Sequence, residues 1–392
     1  MPARLPPFWL LIVVSALGPI VLNGVLPANT RIAQDFSVPY GSAQMVLTVY
    51  LVATMFAQIV LGNLADRYGR RPVMIGGMLV FALGSLLCSL SISLEMLLLG
   101  RLVQGAGSSV CMVLPRTVIR DVFTRDRAAS MIGYMTTAMM LAPLFGPALG
   151  GWITDVSTWR YLYAGLAAVG LVVAVLCYWR MHETLPASDV RPLGSRFVVS
   201  ARILLGSPLY RAYLAMLCGA VGVYYAFLGG APYVVMELYG VSASAYGLWF
   251  AVIAIGYLLG NLVAGRFSDR VGGDRMMLLS LPPMVIGMIL FWAFSSVQHP
   301  LAVFLPMQLI TFSNGVLLPN LMSATMSVRP DLAGSASGLA GTCQTASGIV
   351  LTLALSLWLQ KSAYPLLWVM TLSVLLALWG YYLKERSSAA PD

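Results

Sequence analysis

Charge is scarce in this sequence. Asp, Glu, Lys and Arg together make up 9% of 392 residues, while 59% are hydrophobic. A soluble globular chain carries about 25% charged residues, so that class is excluded and an integral membrane protein is indicated. Histidine is nearly absent, and His182 and His299 both fall in loops. The five cysteines (Cys88, Cys111, Cys177, Cys218, Cys343) lie inside apolar runs, are odd in number and have no metal-ligand spacing. They read as small packing residues. With no metal cluster, no cofactor motif and no nucleophile elbow, the chain does not read as an enzyme. Strand-type alternation is also missing, which excludes a membrane barrel.

What the sequence does contain is apolar runs of spanning length, about 20 residues each. Twelve are found, near 8–28, 43–64, 73–92, 96–118, 129–152, 160–180, 211–232, 244–266, 276–295, 301–327, 334–358 and 364–383. The first has only Arg4 before it and reads as a span, not a cleaved leader. With the N-terminus inside, Arg31, Arg160 and Lys361 fall outside and Arg101 and Arg116 within span 4, leaving eighteen basic residues inside. That bias places the chain in the inner (plasma) membrane with both termini cytoplasmic. It accounts for the net charge of +9 without a nucleic-acid partner.

The fourteen acids are placed as tellingly as the basic residues. Asp35, Asp66, Glu95, Asp121, Asp126, Asp155, Glu183, Asp189, Glu237, Asp269, Asp274, Asp331, Glu385 and Asp392 all map to loops, termini or helix ends. None maps to mid-membrane.

A turn motif occurs twice. "LGNLADRYGRRPV" begins at Leu61 and "AGRFSDRVGGDRM" at Ala264, so Gly62, Asp66, Arg67 and Gly69 recur as Gly265, Asp269, Arg270 and Gly272, each 203 residues on. Between the copies, Met181–Pro208 is the longest polar interval and reads as a cytoplasmic linker. The organisation is therefore 1–180, an N-terminal six-helix bundle; 181–208, the linker; and 209–392, a C-terminal six-helix bundle. A substrate site is expected where the repeats meet. The repeat is unequal, since Arg101 has Phe304 at the matching offset and "FGPALGG" in span 5 has no counterpart in span 11.

Twelve spans, a central loop and two copies of G-x-x-x-D-R-x-G resemble the major facilitator superfamily over essentially the whole chain. The resemblance implies an all-α membrane fold of two pseudo-symmetric six-helix bundles that rock to give alternating access. It also implies that Asp66 and Arg67, with Asp269 and Arg270 in the second copy and Asp121 after span 4, belong to a cytoplasmic latch. On the residues alone, an aspartate at a helix C-terminus opposes the helix dipole and needs a nearby arginine or another helix's N-terminus. For Arg70, Arg71 and Arg275 a solvated, topology-setting loop is an equal alternative.

Span 4 carries two arginines where each costs about 2.5–3.5 kcal/mol at mid-membrane. Arg101 either faces the bundle or snorkels to the outer headgroups. Arg116 follows Pro115 fifteen residues later, and the two are expected on one face. "LLLGRLVQGAGSS" resembles the superfamily's span-4 signature, in which the arginine is linked to proton coupling; Arg101, Gln104, Gly105 and Gly107 match. "LAPLFGPALGGW" resembles the antiporter motif of drug exporters, with Gly146 and Pro147 in place and Ala142 where glycine commonly opens it. "PRTVIRDVF" resembles the bicyclomycin-resistance branch of drug–proton antiporters. In that branch span 1 typically carries an aspartate before a "YLPA"-like run; here "IVLNGVLPAN" puts Asn23 there, which does not titrate.

Two cationic side chains and no mid-membrane carboxylate favour an anionic or zwitterionic small molecule and disfavour lipophilic cations. Arg116 is the expected charge contact and Asn23 a polar one. Tyr50, Tyr134, Tyr224 and Tyr225 supply aromatic walls, while Gln104, Asn314 and Gln344 supply hydrogen bonds. The expected function is export of small, drug-like organic compounds by antiport, from a monomer in the bilayer. An organic-anion importer or anion exchanger of the same fold fits the charges equally well, and a non-transporting receptor fits less.

Overall fold

The computed structural model describes residues 7–123, 141–184, 196–358 and 362–389, with isolated positions between 127 and 139. The start of the fifth expected span, the acids Asp126 and Asp189, and Lys361 lie outside the described residues.

The described chain is helical, with no strand. In chain order the helices are α1 (Phe8–Gly24), α2 (Asn29–Asp35), α3 (Tyr40–Tyr68), α4 (Arg70–Ser89), α5 (Leu94–Val122), α6 (Leu141–Val156) and α7 (Trp159–Arg180). They continue as α8 (Arg196–Gly206), α9 (Pro208–Pro232), α10 (Ala243–Val271), α11 (Gly273–Ala293), α12 (Pro300–Ser327), α13 (Ala333–Trp358) and α14 (Tyr364–Ala389). Eleven helical stretches among the described residues are long and apolar enough to cross a membrane, and α6 adds a shorter one. The first stretch runs on to Asp35, because a 3₁₀ turn at Leu26–Ala28 carries α1 into α2 without breaking the helical path. Helices are what a bilayer demands, since each satisfies its own backbone groups.

Two compact units emerge: Met1–Gly194 with Ser242–Gly247, and Ser195–Val241 with Leu248–Asp392. Ser242–Gly247 joins the first unit for an identifiable reason. The Asp155 carboxylate at the end of α6 accepts from the amides of Ala243 (3.3 Å) and Ser244 (2.7 Å), capping the first turn of α10. Elsewhere in the first unit Asp35 accepts from Trp159 Nε1 at 2.8 Å and pairs with Arg160, whose guanidinium lies 4.3 Å from the Trp159 ring centroid. That knot ties α2 to α7.

The interval expected to be a plain linker contains α8. Its apolar side chains bury Leu204, and Ser207 caps α9 by accepting from Tyr210 N at 3.4 Å. A short amphipathic helix inside a polar stretch gives no span-length signal, which is why hydropathy passes over it.

Helices in lipid gain little from the hydrophobic effect between themselves and rely on close contact. α4 and α5 meet at such a contact: a Cβ on Gly107 would lie 2.2 Å from the Phe81 backbone nitrogen. Gly76, also on α4, has nothing within 4 Å of its would-be Cβ. Gly107→Ala is therefore expected to force the helices apart and cost about 1–3 kcal/mol. Gly76→Ala should be neutral or stabilise by about 0.5–1 kcal/mol. Melting temperatures of the two variants in detergent, compared with the parent, check both directions.

Candidate substrate and gating sites

Burial separates the two span-4 arginines. Arg101 is 1% exposed, whereas Arg116 is exposed. Fifteen residues at 100° each leave the second about 60° round from the first, the offset of an i,i+3 pair, so rotation alone does not account for the difference. Nor does Arg101 snorkel. Its Nε donates to the Val46 carbonyl (3.0 Å) and its Nη1 to Gln104 Oε1 (2.5 Å). Gln104 Nε2 in turn donates to Ser85 Oγ at 2.8 Å. The guanidinium carbon lies 4.3 Å from the Tyr50 ring centroid and 5.8 Å from that of Tyr163.

No carboxylate among the described residues pairs with Arg101. Its compensation comes from dipoles and ring quadrupoles. Hydrogen bonds to a charged group contribute about 1.5–3 kcal/mol each, and a desolvated cation–π contact about 2 kcal/mol. Two of the former and one of the latter exceed the 2.5–3.5 kcal/mol insertion cost of about one arginine. Arg101 therefore holds α3, α4, α5 and α7 together, and Tyr50, expected on a pocket wall, is buried beneath it at 2% exposure.

Arg116 has no such shell. No described acid forms an ion pair with it. The buried charged residues of the described chain are Arg70, Arg101 and Lys384, with no Asp or Glu among them. His299 Nδ1 accepts from Leu301 N at 3.1 Å as the cap of α12, and His182 is exposed. Among the described residues no three His, Cys, Asp or Glu side chains gather as a metal site.

Asn23 is 2% exposed, and its Nδ2 donates to the Pro19 carbonyl at 2.8 Å. It sits where α1 crosses α6. A Cβ on Gly150 would lie 1.8 Å from the Gly24 carbonyl oxygen, and one on Gly146 3.8 Å from Asn23 Cβ. The span-5 glycines thus set the α1–α6 approach, and Asn23, Gly146 and buried Pro147 lie along it.

The remaining expected contacts divide between the units. Tyr134, in the first, is 67% exposed. In the second, Tyr224 and Tyr225 are half-buried with ring centroids 6.3 Å apart. Asn314 is 2% exposed and donates to the Ala220 carbonyl at 2.8 Å. Gln344 is half-buried with Nε2 3.7 Å from Met322 Sδ.

The turn between α3 and α4 carries an ion network. Gly69 takes φ 99°, a region glycine enters without steric cost. Across it Arg70 reaches back to Asp66 in a short contact, and its Nε donates to Asp121 Oδ2 at 3.0 Å. Arg70, 6% exposed, is thus the partner of Asp66, and Arg67 is exposed against the Tyr68 ring. Neighbours one residue apart on a helix point about 100° away from each other, so Asp66 and Arg67 cannot share a partner face.

Among the described contacts Arg67 takes no part in this network. Glu183, expected in the linker, accepts from the backbone amides of Arg70 (2.8 Å) and Arg71 (3.2 Å), capping α4. Its signal was available: a helix opening straight after a glycine turn leaves free amides, and an acid follows span 6 at once. The second copy repeats the backbone, with Gly272 at φ 90°, but Asp269 and Arg270 are both exposed. Lys384 instead pairs with Asp274 at 3.1 Å and Glu385 at 3.0 Å.

Comparison with known proteins places this architecture. The family model described as Major Facilitator Superfamily matches residues 8–352. The chain is 26% identical over 375 residues to a bicyclomycin resistance protein homolog of Haemophilus influenzae, covering 94% of each. It is 28% identical over 350 residues to multidrug resistance protein D of Escherichia coli, covering 88% of this chain and 87% of that one. Among solved structures, a bacterial homolog of the human lysosomal transporter Spinster superposes with a TM-score of 0.76 at 15% identity, covering 97% and 96% of the two chains. That likeness shows the fold: twelve helices in two six-helix bundles. With the family match running through both copies of the glycine turn, this chain is a membrane transporter of the Major Facilitator Superfamily and not an enzyme.

Proposed function

We propose that the chain exports small, drug-like organic compounds across the inner membrane by alternating access, with anionic or zwitterionic compounds preferred. Arg116 carries this reading. It is exposed on a spanning helix without an acidic partner among the described residues, while the other span-4 arginine is compensated internally. A ligand carboxylate or phosphate is the counter-charge such a group lacks. Export is favoured by the relatives named for bicyclomycin and multidrug resistance and by the close-packed glycine crossing of α1 and α6. The protein acts as a monomer with both termini in the cytoplasm.

Coupling follows from the same charges. A proton-driven exporter of cations needs a buried acid that loads and releases a proton, and no described acid is buried. Exchange against a counter-anion meets the need for charge balance without one. The organic-anion importer or exchanger of the same fold keeps its place as the second reading, because the Arg116 environment is indifferent to direction.

The test is flux in proteoliposomes of known orientation, using a panel of organic anions, cations and neutral drugs with and without an imposed pH gradient. Anion flux indifferent to the gradient supports this reading, and cation export driven by it defeats it.

Arg116→Ala should lower anion flux by about tenfold or more, since a charge-assisted contact contributes about 1.5–3 kcal/mol; undiminished flux would remove Arg116 from the site. Asn23→Asp should make flux fall as pH rises, because the ionised carboxylate repels an anionic substrate. A flat pH profile matching the parent excludes Asn23 from the substrate path. If the Asp66 network gates transport, Arg70→Gln slows turnover several-fold, whereas Arg67→Gln, an exposed charge worth about 0–1 kcal/mol, leaves it nearly unchanged. Equal effects of the two would refute the assignment.

A further inference from the structure

The repeat offset of 203 residues sets two versions of one site side by side. In the first unit Arg70 fills the space behind the glycine turn and bridges Asp66 on α3 to Asp121 on α5. Moving each residue by the offset turns Asp66 into Asp269, Arg70 into Gly273 and Asp121 into Ala324. The guanidinium and one of its two carboxylates are gone, and one carboxylate stays.

The second unit has a cavity of about 440 Å³ at this place, lined by Tyr213, Ser268, Asp269, Gly273, Asn320 and Ala324 among others. No described cation forms an ion pair with Asp269; the neighbouring Asp274 is taken by Lys384 at 3.1 Å. Asp274 also lines the cavity and shares Lys384 with Glu385, so the space is acidic.

A polar atom independent of the acids lies against the same space. Asn320 is 7% exposed and its Nδ2 is used on the Val316 carbonyl at 2.8 Å. Its Oδ1 faces Gly273, 3.4 Å from where a Cβ there would sit. The Asp269 carboxylate and this amide oxygen make an acceptor set at the cavity wall. The Tyr213 ring adds a wall suited to a planar cation.

We propose that this cavity binds a small monovalent guanidinium compound, which takes in the second unit the place that the Arg70 side chain occupies in the first. A planar group with several N–H donors satisfies Asp269 and Asn320 Oδ1 together, which a spherical cation does less well. Its occupancy ties the end of α10 to α12, as Arg70 ties α3 to α5. The site is separate from Arg116 and opposite in charge preference, so it is a second ligand site and not part of the anion path.

The probe is ethylguanidinium chloride, added to the full chain in detergent micelles at constant ionic strength and followed by ligand-observed saturation-transfer NMR. Saturable binding is expected, weakened at least tenfold in Asp269→Asn, an exposed near-isosteric change that leaves the fold intact. In Gly273→Arg combined with Ala324→Asp, which rebuilds the first unit's network inside the cavity, binding should vanish and the melting temperature rise. Gly273 has no positive φ and only the ordinary 3.4 Å neighbour, so a side chain is tolerated there. Propylammonium should compete at least tenfold less well. A parent signal that never saturates, an affinity unchanged by Asp269→Asn, or equal competition by propylammonium each overturns the assignment. Binding is read without flux, so neither result depends on what the protein transports. If the double variant does not fold, Asp269→Asn alone decides.

Discussion

A cation buried in a bilayer protein has to be neutralised where it stands, and this chain does so at Arg101 without spending an acid on it. The guanidinium is held by a main-chain carbonyl, an amide oxygen and the face of a tyrosine. Each of these is a neutral group, so the charge is balanced by partial charges that no pH change removes. These groups come from α3 and α5, and Ser85 on α4 and Tyr163 on α7 join them through Gln104 and the guanidinium face. Close approach of α4 and α5 at Gly107 and Gly84 brings Ser85 within reach of Gln104, and Gln104 in turn orients Arg101. Packing comes first here, and the electrostatics rest on it.

The two halves use one backbone device for different ends. Gly69 and Gly272 both take positive φ and both end a long helix that the next helix leaves at once. In the first half the freed α4 amides are capped by Glu183 and the turn is cross-braced by Arg70 between two acids. In the second half no arginine stands behind the turn, and Lys384 from α14 takes Asp274 instead. A duplicated backbone constrains only the residues that make the turn; the side chains behind it are free to diverge. The first half is cross-braced at this point, and the second has kept an acid facing a cavity.

Much of the fold was legible because its signals are long. Spans of about 20 apolar residues and a motif repeated at a fixed offset survive any uncertainty in boundaries. What was not legible depends on direction within a turn of helix. Asp66 and Arg67 are adjacent in sequence and invite pairing, yet the partner lies across Gly69 at Arg70. Arg101 and Arg116 are four turns apart on one helix, and it is the neighbours present at each level, Val46, Tyr50 and Tyr163 at Arg101, that bury the first. The α8 helix is short and sits in a polar stretch, so nothing in the hydropathy marks it. Glu183 caps the α4 amides from 113 residues away, so its signal, a free helix start after Gly69 and an acid just after span 6, shows only when two distant stretches are read together.

Asn23 draws these strands together. Its amide nitrogen donates to the Pro19 carbonyl one turn back, in a crossing too close for water to substitute. The resemblance to the bicyclomycin-resistance branch places an aspartate at this position, and an aspartate makes the same contact only while it carries a proton. Asparagine has the shape and the donor of the protonated acid at every pH. The α1–α6 crossing in this chain is thus fixed in the arrangement that a protonated aspartate would give, with no ionised alternative to switch to. On the proposed reading, a crossing that cannot switch by titration leaves the charge change of the cycle to the substrate and its counter-ion, and Arg116, the exposed cation of the same unit, is the group that would meet it.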